Sequence, residues 1–285
     1  MKSARGASWL AILVSAAVLP ARAAELPLWE FGLGPIGLRL PDYRGSDESR
    51  SYTFPFPYFI YRGEFLRVDR EGVRGILFES DRVELGLSLN ATPPTDSDKN
   101  RTRQGMPDLD PTLEIGPRLN LTLAQDRAKD WRLDLRLPLR AAIAVDLPEA
   151  RGIGWVFAPH LNLETHPRFL NGTWNLGVQA GPLFATGKYH RYFYAVESEF
   201  ATPDRPAYSP GGGYSGTLAL AYLSRRFGSF WLGGFARYDT LKGAVFGDSP
   251  LVTSKHYAAG GIGISWILGR SSTRVQVDEF DEARR

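Results

Sequence analysis

The feature that most constrains this chain is a long run of alternating side chains between residues 131 and 145. Apolar residues hold one parity throughout, from Trp131 to Val145. The charged residues of the other parity are Arg132, Asp134, Arg136 and Arg140. Fifteen alternating residues at about 3.3 Å each span roughly 50 Å, which is long for a globular sheet. The run predicts a tilted wall strand of a transmembrane β-barrel, with apolar side chains toward lipid and charges toward the lumen.

The last apolar segment of the chain, from Lys255 to Leu268, shows the same period of two. Its apolar parity ends in Ile264, Trp266 and Leu268, and the opposite parity carries small residues such as Gly261 and Gly263. Small residues toward a polar lumen, with an aromatic residue at interface height, are typical of outer-membrane barrels. The segment also resembles the C-terminal insertion signal of such barrels.

Similar segments recur along the whole chain and predict twelve strands. The predicted strands are residues 28–39, 54–61, 65–70, 73–79, 83–90, 113–123, 131–145, 155–165, 173–186, 214–227, 230–239 and 255–268. The predicted fold is therefore all-β, an antiparallel up-and-down transmembrane barrel. A count of ten is the alternative, because the second to fourth strands are short and poorly patterned.

The connections alternate between short turns and longer polar loops. Long loops are predicted at residues 41–53, 91–111, 146–154, 187–213 and 240–254, with short turns at most of the other junctions. Outer-membrane barrels have short periplasmic turns and longer outer loops. An even strand number with this alternation predicts that both termini are periplasmic.

The two ends of the chain are predicted to lie outside the barrel. Residues 1–23 read as a secretory signal, because two basic residues precede an apolar run and small residues offer a cleavage site. The barrel is predicted over residues 24–268 and a periplasmic tail over 269–285. Removing the signal leaves 31 basic and 31 acidic residues of the original 34 and 31, and this near-neutral balance does not favour nucleic acid as a partner. The absence of cysteine excludes a disulfide scaffold.

The predicted lumen carries eight charged side chains. They are Glu84, Glu114, Arg118, Arg132, Asp134, Arg136, Arg140 and Glu164. These residues either pair and fill the lumen, or line a narrow conduit for small polar or charged solutes. The chain's four histidines, at positions 160, 166, 190 and 256, cannot be placed with a nucleophile and an orienting acid from spacing alone. The sequence therefore predicts no enzyme, no metal site and no cofactor.

Three short segments resemble those of the MipA/OmpV family of outer-membrane proteins. They include Tyr43, Gly45, Ser46 and Asp47, then Tyr61, Arg62 and Gly63, and finally Asp248, Ser249, Pro250, Leu251 and Val252. The resemblance extends over about residues 28–268. It implies a barrel in the bacterial outer membrane, in contact with outer-membrane lipid. From residue type alone, the motif positions suit turn chemistry better than ligand binding.

The resemblance also implies partners, because the family is named for its association with a murein lytic transglycosylase and a bifunctional penicillin-binding protein. The expected function is a scaffold for these peptidoglycan-remodelling enzymes. A channel for small polar or charged solutes is the main alternative, and a surface hydrolase using His190 or His256 is a third.

Overall fold

The computed structural model describes residues 24–69, 72–126, 130–146 and 148–277 and forms a closed antiparallel barrel of twelve strands. The predicted signal at 1–23 and the last eight residues, 278–285, lie outside the described residues. The strands are β1 (Trp29–Pro41), β2 (Ser49–Arg62), β3 (Leu66–Asp69), β4 (Gly72–Glu79), β5 (Val83–Thr92), β6 (Thr112–Asp126), β7 (Trp131–Asp146), β8 (Glu149–Phe157 and His160–Thr165), β9 (Asn175–Ala185), β10 (Gly213–Phe227), β11 (Phe230–Thr240) and β12 (His256–Arg270). The predicted fold class and the count of twelve are confirmed.

Each strand pairs with its neighbours in sequence, and β12 pairs with β1 to close the barrel. β8 is interrupted at residues 158 and 159. Both of its segments nevertheless bridge β7 and β9, as the pairing of Leu161 with Leu135 and Ala180 illustrates. Hydrogen-bonded pairing is therefore continuous between the first and last strands of the barrel.

The alternation of β7 matches the two faces of the wall. Asp134 and Arg136 on one parity are 3% and 4% exposed, whereas Leu139 on the other parity is 42% exposed. Exposed apolar side chains surround the barrel and include Phe31, Leu85, Ile115, Leu161, Val178 and Ile262. An outward apolar band of this kind is what a bilayer requires of a barrel.

Two of the predicted loops are partly strand. β2 already begins at Ser49, and β8 begins at Glu149, where it pairs with Asp146 across a two-residue connection. The predicted loops at 41–53 and 146–154 are therefore wrong in extent. Polar side chains on both faces suit a strand that projects beyond the membrane, because both faces then meet water.

The barrel has a terminal end, where the first and last described residues lie, and a loop end, where the long connections lie. At the terminal end, β12 extends to Arg270, and a ribbon of two short strands pairs Ala24–Pro27 with Arg274–Val277. A second small hairpin joins Arg168–Phe169 to Gly172–Thr173.

At the loop end, the connection of residues 186–212 folds back over the barrel mouth. It contains the helix α1 (Gly187–Tyr194) and a 3-10 turn at Ser198–Phe200, and a further 3-10 turn lies at Ser97–Lys99. None of the helices in the described part of the chain is long and apolar enough to cross a membrane. No helix was predicted at α1, whose residues are mostly aromatic or basic.

Candidate functional site

Two of the three motifs meet at the loop end, although about 200 residues separate them in sequence. The hydroxyl of Tyr43 donates a hydrogen bond to the carbonyl of Leu251 over 2.8 Å. The carbonyl of Gly45 accepts bonds from the backbone N–H groups of Thr253 and Ser254 at 2.9 and 3.0 Å. Gly45 has a φ of 99°, and a β-carbon there would approach Leu241 and Val252. Glycine at this position thus permits both the backbone angle and the close approach.

The remaining residues of the first motif hold the neighbouring loops. Ser46 accepts a bond from the Asn100 amide at 3.2 Å, and this ties the β1–β2 loop to the loop between β5 and β6. Asp47 accepts a bond from the Thr253 hydroxyl at 2.8 Å and pairs with Arg101 at 2.8 Å. The Thr253 and Arg101 bonds lower the pKa of Asp47. These contacts fit the turn role that residue type suggested.

The motif of residues 248–252 anchors α1 through its serine. Ser249 donates to the carbonyl of Tyr194 at 2.8 Å, and Tyr194 stacks on Phe246 with ring centroids 3.7 Å apart. The Tyr194 hydroxyl donates to the carbonyl of Arg44 at 3.0 Å. Burial raises the pKa of Tyr43 and Tyr194, so both hydroxyls stay neutral and keep their protons for donation.

These contacts close the loop end with an apolar cluster, which we call the loop cap. Its buried members are Tyr43, Met106, Leu109, Ala142, Ala144, Ile153, Phe193, Tyr194, Val196, Leu241, Phe246 and Leu251. Leu241, Phe246 and Leu251 are fully buried. Motif residue Val252 packs against the cluster, whereas Asp248 points to solvent and lies 3.9 Å from Lys255.

The motif of residues 61–63 lies at the opposite, terminal end. Arg62 donates to the carbonyl of Pro27 at 2.7 Å and pairs with Glu30 at 2.9 Å. Gly63 begins the turn into β3 through a backbone bond to Leu66. The ring of Tyr61 stacks with Phe59. The structure therefore separates this motif from the other two by the length of the barrel.

The eight predicted lumen charges form four acid–arginine pairs. The pairs are Glu84–Arg118 at 2.7 Å, Glu114–Arg140 at 3.0 Å, Arg132–Asp134 at 3.1 Å and Arg136–Glu164 at 2.9 Å. Cross contacts join the last two pairs, since Arg132 also reaches Glu164 and Arg136 reaches Asp134. Pairing of this kind offsets part of the large cost of burying charges.

Two further charged groups in the lumen were missed at the sequence level. Asp239 is fully buried between Arg44, 3.0 Å away, and Arg237, and Glu30 is held between Arg62 and Arg226. The parity rule that found the other lumen charges would have found Glu30, Arg237 and Asp239, because each lies on the lumen parity of its strand. Arg44 had no such signal, since it belongs to a loop.

A cavity of about 1030 Å³ occupies the terminal half of the barrel. Seven arginines and seven acids line it: Arg62, Arg67, Arg74, Arg132, Arg226, Arg270 and Arg274, with Glu30, Glu64, Asp69, Glu79, Asp81, Glu84 and Asp134. The wall is therefore strongly polar but balanced in charge. A smaller cavity of about 340 Å³ lies between Arg50, Tyr52 and the loop of residues 94–111.

The histidine environments are structural. His190 lies in α1, where Nδ1 is 2.7 Å from the carbonyl of Gly211 and Nε2 is 2.6 Å from the hydroxyl of Ser215. A serine with an oriented histidine is the core of many hydrolase sites. Here, however, both side chains are buried inside the loop cap, so a substrate has no access. Burial also lowers the pKa of His190.

Each of the other three histidines has a partner for its Nδ1 atom. Nδ1 of His160 lies against the carbonyl of Ala158, that of His166 against Asp130, and that of His256 against the hydroxyl of Tyr238. The described residues contain no group of three or more acidic or histidine side chains arranged to hold a metal ion.

The solved structures that this chain resembles are distant ones. Outer membrane phospholipase A from Escherichia coli is 13% identical, with a TM-score of 0.33, and the match covers 85% of this chain and 94% of that one. The outer membrane protein OprG from Pseudomonas aeruginosa is 9% identical, with a TM-score of 0.22 and the same coverage. A comparison with curated proteins finds no match. The family described as MltA-interacting protein MipA matches residues 33–268, nearly the whole barrel, and the chain is therefore an outer-membrane β-barrel that belongs to this family.

Proposed function

We propose that this chain is a non-enzymatic scaffold that holds peptidoglycan-remodelling enzymes at the outer membrane. The partners would be a murein lytic transglycosylase and a bifunctional penicillin-binding protein. The family description, MltA-interacting protein, motivates the first partner. The single structural observation that supports a scaffold is the closed loop end, where the loop cap covers one mouth of the barrel and paired charges line the lumen wall.

The proposed docking surface is the terminal end of the barrel. Peptidoglycan lies in the periplasm, so a scaffold must present its partner surface there, and the proposal therefore places both termini in the periplasm. This end carries the terminal ribbon of residues 24–27 and 274–277 and the turn with Arg62, Gly63 and the exposed Glu64. The charges of both signs at this end favour polar, electrostatically specific contacts over an apolar interface.

Cross-linking in intact envelopes, followed by co-purification, tests the proposal. We expect the transglycosylase or the synthase to be recovered well above the level found with an unrelated barrel. Recovery at the control level would refute the scaffold.

A matched pair of charge reversals tests which end of the barrel docks the partner. Glu64→Lys changes the terminal end, and Asp248→Lys changes the loop end at a side chain that is 94% exposed. We expect only Glu64→Lys to reduce recovery, because only the terminal end would face the partners. If Asp248→Lys alone reduces it, the assigned docking end is wrong even if the scaffold is correct.

The cavity of the terminal half favours a second candidate, a channel for small polar or charged solutes. Recordings in planar bilayers distinguish the two functions. A discrete conductance that changes when Arg132, Arg136 and Arg140 are replaced by glutamine would favour the channel. The absence of any conductance, with the same substitutions only lowering barrel stability, would favour the scaffold.

A further inference from the structure

The barrel wall is incomplete on one side, between β2 and β5. β2 has fourteen residues, whereas β3 has four and β4 has eight. In the described residues, β3 pairs with β2 only through Tyr61–Val68 and Arg62–Arg67. The short β3–β4 hairpin therefore fills only the terminal part of the space beside β2.

The register gives the height of this hairpin. Asp69 pairs with Gly72, so the chain reverses just above them. Counting up from Tyr61–Val68, the described part of the hairpin ends with Asp69 at the level of Ile60 of β2. Among the described residues, Ser49–Pro57 then have a pairing strand only on the β1 side, over about 25 Å of wall. On the facing side, Leu89–Thr92 of β5 pair only with β6.

The exposed edge of β2 lacks hydrogen-bond donors at its centre. The Arg62 N–H bonds to Leu28 beside β1, so even-numbered N–H groups of β2 point toward β1 and odd-numbered ones toward the opening. Positions 55 and 57 are odd, and both are proline. Proline removes the N–H that a further strand would need, which protects an edge from pairing with another chain. The edge is therefore unsuited to a partner strand, and at positions 55 and 57 it presents carbonyl groups but no N–H donors.

The rim of this opening is apolar on the side that faces the membrane. Phe59 of β2, Val73 of β4 and Leu89 of β5 are all exposed. Each lies on the outward parity of its strand, which places the opening at the depth of the lipid-facing band. At the loop end, the β5–β6 loop bounds the opening. There the Thr95 hydroxyl donates to the Asp42 carbonyl, and Arg50 donates to the Lys99 carbonyl at 3.1 Å.

On the lumen side, the opening exposes aromatic rings. Phe54 and Phe56 pair with Ile36 and Gly34 on the lumen parity, yet they are 40% and 48% exposed. In the middle of the complete wall, lumen-parity residues are buried or half-buried, and Ser224 and Ser265, for example, are 2% and 4% exposed. The opening thus joins an apolar outer rim to an aromatic inner surface.

We propose that this opening is a lateral portal, through which the hydrocarbon chain of a membrane lipid reaches Phe54 and Phe56 on the lumen face. Lipid chains match the apolar rim and the two rings, and they require no donor from the proline edge. The polar cavity below, which Tyr58 and Ile60 of the same strand line, would take the head group. This inference does not depend on the scaffold function.

Photoactivatable phospholipids test the portal on the unaltered protein. Vesicles would carry a diazirine at the end of the acyl chain, and cross-linked residues would be identified by mass spectrometry. We expect cross-links at Phe54 or Phe56 as well as at outward residues such as Leu33. Cross-links confined to outward residues would overturn the proposal.

Spin labels supply a second, quantitative measurement, because the chain has no cysteine of its own. Phe56→Cys is compared with Leu33→Cys, which faces lipid, and with Leu220→Cys, which lies between Gln179 and Arg237 on the lumen parity of the complete wall. The ratio of oxygen to water-soluble nickel-chelate collisions is measured in vesicles. We expect the Phe56→Cys ratio to match that of Leu33→Cys. A ratio equal to that of Leu220→Cys would show that lipid does not enter.

Discussion

Replacing Leu137 with arginine should destabilise the barrel through its lipid face. Leu137 lies near the middle of β7 and pairs with Leu119 on the outward parity. An arginine on the lipid face costs about 2–4 kcal/mol at the bilayer midplane and about 0–1 kcal/mol near the interface. Leu137→Arg should therefore cost several times more than Leu133→Arg, which lies closer to the end of the strand.

Arg136→Leu is the matched change on the lumen face of the same strand. It removes the 2.9 Å pair with Glu164, but Glu164 keeps Asn162 at 3.0 Å and Arg132 at 3.5 Å. Breaking a buried pair costs about 3–5 kcal/mol, and the remaining partners favour the lower limit. The cost of Arg136→Leu arises from an incompletely paired carboxylate in the lumen, whereas that of Leu137→Arg arises from a charge that faces lipid.

Urea titrations of folding in lipid vesicles, followed by heat-modifiable gel mobility, measure both effects. If Leu137→Arg folds as well as the parent while Arg136→Leu does not fold, the assigned parity is reversed. Equal costs for Leu137→Arg and Leu133→Arg would contradict the membrane depth of the strand.

Three other changes test the loop cap and the wall. Tyr43→Phe leaves the buried carbonyl of Leu251 without its donor, so it should cost about 1–3 kcal/mol and increase proteolysis of the loops without loosening the barrel. Burial lowers the pKa of His190, so its contribution to stability is complete above about pH 6.5 and is lost as pH falls below that value. Hydrogen exchange in α1 should therefore be faster at pH 5 than at pH 7.5. His190→Asn should remove this difference. A β-carbon at Gly34 would lie 1.9 Å from a backbone oxygen of β12, whereas one at Gly37 would lie 4.0 Å from the nearest such oxygen. Gly34→Ala should therefore prevent the barrel from closing, and Gly37→Ala should fold. Heat-modifiable gel mobility distinguishes the two outcomes.

Alternation was sufficient to predict the barrel, because side-chain parity is a local property that each strand carries by itself. β7 and β12 are the clearest cases. The ends of β2 and β8 were mistaken for loops because strands outside the membrane lose the apolar parity that marks them. The short β3 and β4 were located, but the opening above them depends on register, which sequence spacing does not show.

The candidate sites were less predictable. Charges on the lumen parity could be named from the sequence, but their partners, such as Glu84 for Arg118, depend on which strands become neighbours. Tyr43 contacts Leu251, and His190 contacts Ser215 of β10, because long loops fold back over the barrel mouth. Loop paths of this kind have no periodic signal, so neither contact could be inferred from spacing.

The bonds from Gly45 to Thr253 and Ser254 also affect the order of assembly. They join the first long loop to the last, across the junction at which β12 pairs with β1. At the other mouth, the ribbon of Ala24–Pro27 with Arg274–Val277 spans the same junction. Contacts between such distant parts of a chain form late and slowly. Both ends of the barrel are therefore closed only after β12 has paired with β1. A nascent chain that lacks β12 would expose the unpaired edge of β1 and an open barrel mouth to the machinery that inserts it.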